Sequence, residues 1–378
     1  MFVTKVGLVR ALLLALVITA AVVSAHPGEA PPTPQNIVEG KLYRRSAQAQ
    51  YKRCNGSRQS LQRRHAVNTQ VHRRQKLLEQ LRRARTAQRR SDSGYASEVL
   101  ETSHVSNRTD ITSNSTTSAV FANSTDACVL QPEVTIGPYW VSGELLRSNL
   151  TDDQPGVPLY LDAQFVNINT CEPVTDLYWE IWNCNSTGVY SGVVASGNGN
   201  MEDESNLNAT FLRGIQRTDE NGAAQFQTIF PGHYTGRAHH IHVVAHINAT
   251  VLPNSTLANS ANTGAVHIGQ LFFDQDLISQ VEASSPYSSN TQNITTNAED
   301  SIFAQEADSE GSDPVLEYVL LGDKIEDGVF AWTSIAVDVD AKYNTSAAAA
   351  YTKDGGVANE QSLNGMGDGA PGGLAPSK

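Results

Sequence analysis

Seven short runs rich in Val, Ile, Tyr, Phe and Trp fill residues 158–339: PLYLDAQFVNI, DLYWEIWNC, AAQFQTIF, HIHVVAHI, GQLFFD, VLEYVLL and VFAWTSIAVDV. Turn signals such as DENG and PG separate them, and no long amphipathic helical period interrupts the first five. β-Branched and aromatic residues fit a pleated, half-buried surface, so each run is read as a strand. Many short strands in series predict an all-β chain built as an antiparallel β-sandwich or barrel with long loops. The expected core spans 127–345, long enough to bury one substantial domain.

The flanks read differently. Residues 1–25 carry a short basic start, an apolar run near 11–23 and the small residues VSA, the parts of a secretory signal peptide. The apolar run is short for a membrane span. Residues 41–90 hold sixteen of the 27 Lys/Arg and one acid, Glu79, within a chain whose net charge is −12. An anionic-surface or nucleic-acid arm, a removable pro-segment and a retained basic arm all fit 26–90. The repeated Arg-Arg pairs favour the pro-segment, with cleavage expected after Arg90. Residues 91–126 are rich in Ser, Thr and Asn and read as a glycosylated linker, and 346–378 read as a flexible Gly-rich tail.

Eleven Asn-x-Ser/Thr sequons, from Asn55 to Asn344, imply a glycosylated surface. Four cysteines (Cys54, Cys128, Cys171 and Cys184) suit an oxidising compartment. A strand of about seven residues separates Cys171 from Cys184, roughly 23 Å, so they are not expected to pair directly. Cys128 with one of them is the expected bridge. The expected location is extracellular.

Five of the ten histidines fall within PGHYTGRAHHIHVVAH, residues 231–246. On a strand, His240, His242 and His246 share one face and His239 points the other way. His240 and His242 then stand about 7 Å apart along the strand, close enough for both rings to meet one ion. A helix would instead pair His242 with His246, but the segment is β-prone and lacks the Glu of a HExxH site. Two imidazoles do not identify the metal. Tyr234, in the turn that feeds this strand, and Tyr190, at the end of a loop after WEIWNC, add two phenols. An ordinary tyrosine has a pKa of about 10, so a strong Lewis acid is needed to hold a phenolate near neutral pH. Two phenolates with two imidazoles suit ferric iron.

From Cys128 to about residue 275 the chain resembles the intradiol ring-cleavage dioxygenases, close to their secreted fungal branch. The residues that carry this are TIGPYWVSGELLRSN, PGVPLYL, CEPV, IWNCNSTGVYSG, FLRGIQRTDENGAAQFQTIFPGHYTGRAHHIHV and HIGQLFFD. The order W-x-x-N-x-x-G-x-Y, then P-G-x-Y, then R-x-x-H-x-H is specific, although each part alone is weak. The resemblance implies a non-haem Fe(III) held by Tyr190, Tyr234, His240 and His242, with Tyr234 as the tyrosine that dissociates and acts as a base. It also implies Arg237 beside the substrate ring, where a fixed cation stabilises developing charge.

The reaction implied is cleavage of a catechol-type ring between its hydroxyl-bearing carbons with O2, giving a muconate-type diacid. A small aromatic diol and O2 are the implied partners, with cell-wall or lignin-derived polymer as a further candidate. No nucleic acid is expected, and no membrane once the signal is removed. His233 and His246 have no ligand role in the pattern; His239, His267 and Trp182 are expected to pack. The basic segment does not resemble the helical dimerising segment of the family's soluble catechol enzymes. The alternatives are a non-catalytic secreted metal-containing β-sandwich that binds cell-wall polymer or lignin-like aromatics, and a copper site at His26 of the mature chain. Two retained phenols argue against the first, and the disordered-looking sequence after His26 against the second.

Overall fold

A computed structural model describes residues 35, 38, 40–50, 52–53, 94–121, 134–195, 197–198, 202–258, 265–308, 312–343 and 345–359. Its strands are β1 (Val141–Ser142), β2 (Pro158–Asn167), β3 (Leu177–Trp182), β4 (Arg213–Arg217), β5 (Ala223–Ile229) and β6 (His240–Ile247). They continue with β7 (Ala265–Phe272), β8 (Glu317–Leu320), β9 (Val329–Val337), β10 (Ala349–Thr352) and β11 (Gly355–Ala358). Helices are short: α1 (Tyr95–Leu100), α2 (Thr117–Phe121), α3 (Gln275–Glu282) and α4 (Ser301–Glu306).

Two four-stranded sheets, ordered β5-β2-β9-β8 and β4-β3-β6-β7, form the sandwich expected from the alternating runs. Leu159, Leu161, Ala163 and Phe165 of β2 meet Leu177, Trp179 and Ile181 of β3 and Ile241, Val243 and Ala245 of β6 in one core. Trp179 is fully buried between Phe165 and Phe226, with ring centroids 5.8 and 4.9 Å away. A buried aromatic of that size typically contributes ~3–5 kcal/mol relative to alanine. Side chains alternate along a strand, so the odd residues 241, 243 and 245 enter this core while His240, His242 and Val244 face the other way. That second face is covered too, because Trp182 and Val244 pack with Trp140, Tyr190 and Tyr234 in a separate cluster.

Most ladders are antiparallel. The pairing of β2 with β9, nine residues in register from Leu159–Val329 to Asn167–Val337, is parallel. A third, small sheet places β10 between β1 and β11.

Two expectations about the flanks need correction. Residues 94–121 do not behave as a linker: Ile111, Val120 and Phe121 pack on Phe330 and Trp332, covering the outer face of the β5-β2-β9-β8 sheet. Ser/Thr/Asn composition hid these few apolar anchors. Residues 349–358 of the supposed flexible tail form the β10–β11 hairpin, whose glycines read as disorder but allow close approach to residues 207–208. Cys171 is disulfide-bonded and Cys184 is a buried free thiol. The bridge partner, the signal segment and the cleavage expected after Arg90 lie outside the described residues. Within the basic arm, residues 40–50 are helical, and Ala47 packs against Ile168 and Ala336.

The 94–121 segment is also pinned by charge. Buried His104 sits 2.6 Å from Asp274 through Nδ1 and 2.9 Å from Asp313 through Nε2, and its backbone N–H donates to Asp274. Burial opposes its charge, but the two carboxylates outweigh it and raise its pKa to about 10. A raised folded-state pKa means that this contribution is complete below about pH 6.5 and disappears as pH rises through about 10. Burial pushes Glu144 and Asp162 up to about 7 as well, so His104 is read from the difference between wild type and a His104 variant, in which shared titrations cancel. Wild-type melting temperature should exceed that of His104→Gln at pH 7.5, and the two curves should converge by about pH 10, the difference shrinking by at most ~1.4 kcal/mol per pH unit. Parallel curves would show that His104 is not the charged clamp.

Candidate metal centre

The site lies at the end of the β4-β3-β6-β7 sheet, on the face turned away from the sandwich core. Strand β3 ends at Trp182, directly across the ladder from His242. The chain then makes a tight Asx turn in which Asn185 Oδ1 accepts from the Thr187 and Val189 backbone N–H groups, at 3.1 and 3.0 Å. This turn delivers Tyr190. Its backbone is held by two buried asparagines: its N–H donates to Asn198 Oδ1 (2.9 Å), and its carbonyl accepts from Asn198 and Asn206 Nδ2 (3.0 and 2.8 Å).

The turn bearing Tyr234 nests against this loop backbone to backbone. A side chain on Gly188 would strike the His233 carbonyl, and one on Gly232 would lie 2.5 Å from the Asn185 carbonyl oxygen. The Gly188 position also has φ of +85°, a conformation that favours glycine. These contacts explain the glycines of G-x-Y and P-G-x-Y: they bring two tyrosine loops within reach of one point.

All four expected donors meet there. Tyr190 Oη and Tyr234 Oη lie 3.2 and 3.3 Å from His240 Nε2, which is 3.1 Å from His242 Nε2. Tyr190, Tyr234, His240 and His242 are all buried. The His240 Nδ1–H donates to the Ala238 carbonyl at 2.6 Å, which leaves Nε2 with a bare lone pair facing the cluster. His242 lies flat on Trp182, 4.7 Å between centroids and 4° between planes, so Trp182 packs as expected but also sets the ring orientation. Burial, together with the other tyrosine and Cys184, holds the Tyr190 phenol well above its ordinary pKa; burial does the same to Tyr234 despite nearby Arg237. Without a cation these phenols stay neutral. Two phenols and two imidazole lone pairs, with no carboxylate among them, are a donor set that a trivalent hard cation fits and that little else would stabilise.

Arg237 is fully buried beside the cluster, with Nη1 3.4 Å from His240 Nε2. Burial opposes its charge, but Asp300 and the two tyrosines hold its pKa above the ordinary value. Asp300 Oδ2 accepts from Arg237 Nε (2.9 Å) and the Ala238 N–H (2.7 Å), while Oδ1 caps α4 through the Ile302 and Phe303 N–H groups. Arg237 Nη2 donates to Gln270 Oε1 at 2.5 Å. Gln270 faces His242 across the β6–β7 ladder. Asp300 and Gln270 were not identified from the sequence. Gln270 sits inside HIGQLFFD and faces the site at the same parity as His242, so the strand pairing is the signal that would have found it. Asp300 lies in a polar loop 60 residues from the ligands and had no signal.

The other described histidines of this region stay away from the donors. His246 bonds Glu180 at 2.8 Å, and His239 and His233 both contact Glu282. His267 is buried, and burial lowers its pKa to about 3. Tyr139, from TIGPYW, packs its ring 4.9 Å from Tyr190 and 6.4 Å from Tyr234, forming one wall of the site.

Comparison with known proteins identifies relatives of the chain. The family profile described as Dioxygenase matches residues 137–318. An intradiol ring-cleavage dioxygenase from Tetranychus urticae is 30% identical over 57% of this chain and 98% of its own, with a TM-score of 0.46. The dioxygenase domain of a carbohydrate-binding fusion from Streptomyces sp. SirexAA-E is 24% identical over 55% and 97%, with a TM-score of 0.35. Catechol 1,2-dioxygenase from Pseudomonas arvilla C-1 is 18% identical over 56% and 65%, with a TM-score of 0.36. No curated protein matches. The identity to the Tetranychus protein along almost its whole length, together with the profile match, means that the chain belongs to the intradiol ring-cleavage dioxygenase family.

Proposed function

We propose that this dioxygenase opens a small catechol-type diol between its two hydroxyl-bearing carbons, with non-haem Fe(III) held by Tyr190, Tyr234, His240 and His242, and that it acts outside the cell. The observation that carries the reading is the convergence of two phenols and two imidazoles beside a buried guanidinium. When bound, ferric iron accepts both diol oxygens and draws electron density from the ring, activating it toward O2.

The protein's own groups do the rest. Tyr190 is fixed by Asn198 and Asn206, so it serves as the permanent phenolate. Tyr234 sits on a turn and takes a diol proton at Oη. Arg237 has no lone pair to offer a metal; its fixed charge stabilises negative charge as it develops on the ring. Asp300 and Gln270 hold the guanidinium in that place. Arg237 is itself fully buried, so bulk water does not screen this charge. The extracellular location draws support from the signal-like start and from the sequons, since Asn107, Asn114, Asn149, Asn208, Asn248, Asn254 and Asn293 are all exposed.

The test is metal analysis of the purified protein combined with oxygen uptake on catechol, protocatechuate and hydroxyquinol. About one iron per chain, a red colour from phenolate-to-iron charge transfer and uptake of O2 with a diacid product are expected. A colourless protein that takes up zinc stoichiometrically even after iron loading would overturn the assignment.

A further inference from the structure

Behind the first residue of β6, on the face opposite the donors, lies another buried group. His233, His239 and Glu282 place their ligating atoms within 4.8 Å of one another. Glu282 Oε1 is 2.8 Å from His233 Nδ1 and 2.6 Å from His239 Nε2. Such a set could be a second metal site or a hydrogen-bonded brace, and the spacing decides between them. Atoms each ~2.0–2.1 Å from one tetrahedral ion stand ~3.3 Å apart. The three donor atoms around His240 Nε2 meet that spacing, at 3.1–3.3 Å from it. The Glu282 contacts are shorter and match charge-assisted hydrogen bonds. His233 Nε2 also lies 3.0 Å from the Gln292 carbonyl oxygen, so both of its nitrogens face acceptors, as they would in a brace.

The brace stands at a telling place. His233 directly precedes Tyr234, and His239 directly precedes His240. One carboxylate therefore joins the turn that carries a phenol donor to the strand end that carries an imidazole donor. The segment that follows Glu282 extends the same hold. Asn290 Nδ2 donates to the His233 carbonyl (2.8 Å), the Gly236 N–H donates to Thr295 Oγ1 (3.1 Å), and Gln292 Nε2 donates to Thr187 of the Tyr190 loop (3.1 Å).

We propose that Glu282 is a positioning residue for the metal centre, its carboxylate setting the separation of Tyr234 and His240 through the two histidines beside them. The proposal rests on reading the four donors as the iron ligands. Groups that orient metal ligands from behind typically change metal affinity or activity ~10–100-fold when removed.

The test uses full-length iron-loaded wild type, Glu282→Ala and Glu282→Gln. It measures the phenolate-to-iron absorption band, the rate of iron loss to a chelator, total metal content, and the melting temperature of each metal-free form. Glu282→Ala should shift the band and release iron about tenfold faster or more. Glu282→Gln keeps an Oε1 acceptor for both histidines and should fall between alanine and wild type. A lowered melting temperature with an unchanged band and release rate would make Glu282 merely structural and overturn the proposal. A second equivalent of metal in wild type that Glu282→Gln loses would also overturn it, in favour of a metal site. If Glu282→Ala does not fold, wild-type behaviour of Glu282→Gln in both readouts overturns it. Wild type that binds no iron and shows no band would instead refute the reading of the donors themselves.

Discussion

Arg237→Ala is expected to stay red and iron-loaded while its turnover on the best diol falls by about two to three orders of magnitude, the usual cost of removing one charged donor from a dry site. Substrate affinity should change less, because the diol is held by the metal. The structure adds a complication that the test must handle. Arg237 is the buried partner of Asp300, and deleting one member of a buried pair typically costs ~3–5 kcal/mol by stranding the other. Asp300 still accepts from the Ala238, Ile302 and Phe303 N–H groups, so the fold survives with a lower melting temperature. The double variant Arg237→Ala/Asp300→Asn removes the stranded charge. It should recover most of the lost stability and none of the lost turnover. Recovery of both would mean that Arg237 acts by holding the fold; loss of iron in the single variant would mean that it acts on the ligands.

His242→Ala should be colourless, hold almost no iron and show no oxygen uptake. The donor set has one imidazole flat against Trp182 and one that also contacts both phenols. Removing the first leaves only three of the four donors. His267→Ala is the matching control: that ring is equally buried on β7, yet it stands outside the donor set, so iron content should remain near one per chain. Tyr190→Phe should move or bleach the visible band. Retention of iron and colour by His242→Ala would remove His242 from the ligands.

The difference between these two histidines was already legible in the chain, and it is worth asking why other features were not. Strand parity separates His240 and His242 from Ile241 and Val243, and the run of β-branched residues around them leaves little room for a helix. Every one of the seven apolar runs became a strand. Strand β4, RGIQR, was missed because Ile215 is its only buried apolar side chain besides a glycine: Arg213 is buried against the Ser191 and Tyr139 carbonyls, not by apolarity. The docking of 94–121 was missed because His104 and a few apolar residues achieve it inside a polar stretch. The two tyrosines carried a local signal in the glycines that only close loop packing requires, and the two histidines carried theirs in strand parity. Asp300 and Glu282 carried none, since a carboxylate in a loop or at a helix end looks the same whether it faces water or a buried cation. The parallel β2–β9 pairing was equally invisible, because partner choice between distant strands leaves no trace in either run.

That pairing also governs the order in which the molecule can assemble. Every strand of the sheet that carries the candidate donors lies between residues 177 and 272, so this layer can be complete while the ribosome still holds the rest. The opposite layer cannot close, because its second central strand ends at Val337, about 180 residues after its neighbour began. Contacts of such long sequence separation are slow to form. In the interval Leu159, Leu161 and Phe165 lack the cover of Val329, Ala331 and Ile335, an exposed apolar surface of the kind that chaperones protect. Sealing of the hydrophobic interior thus waits for a late carboxyl-side strand, whereas the four candidate donors are synthesised well before it.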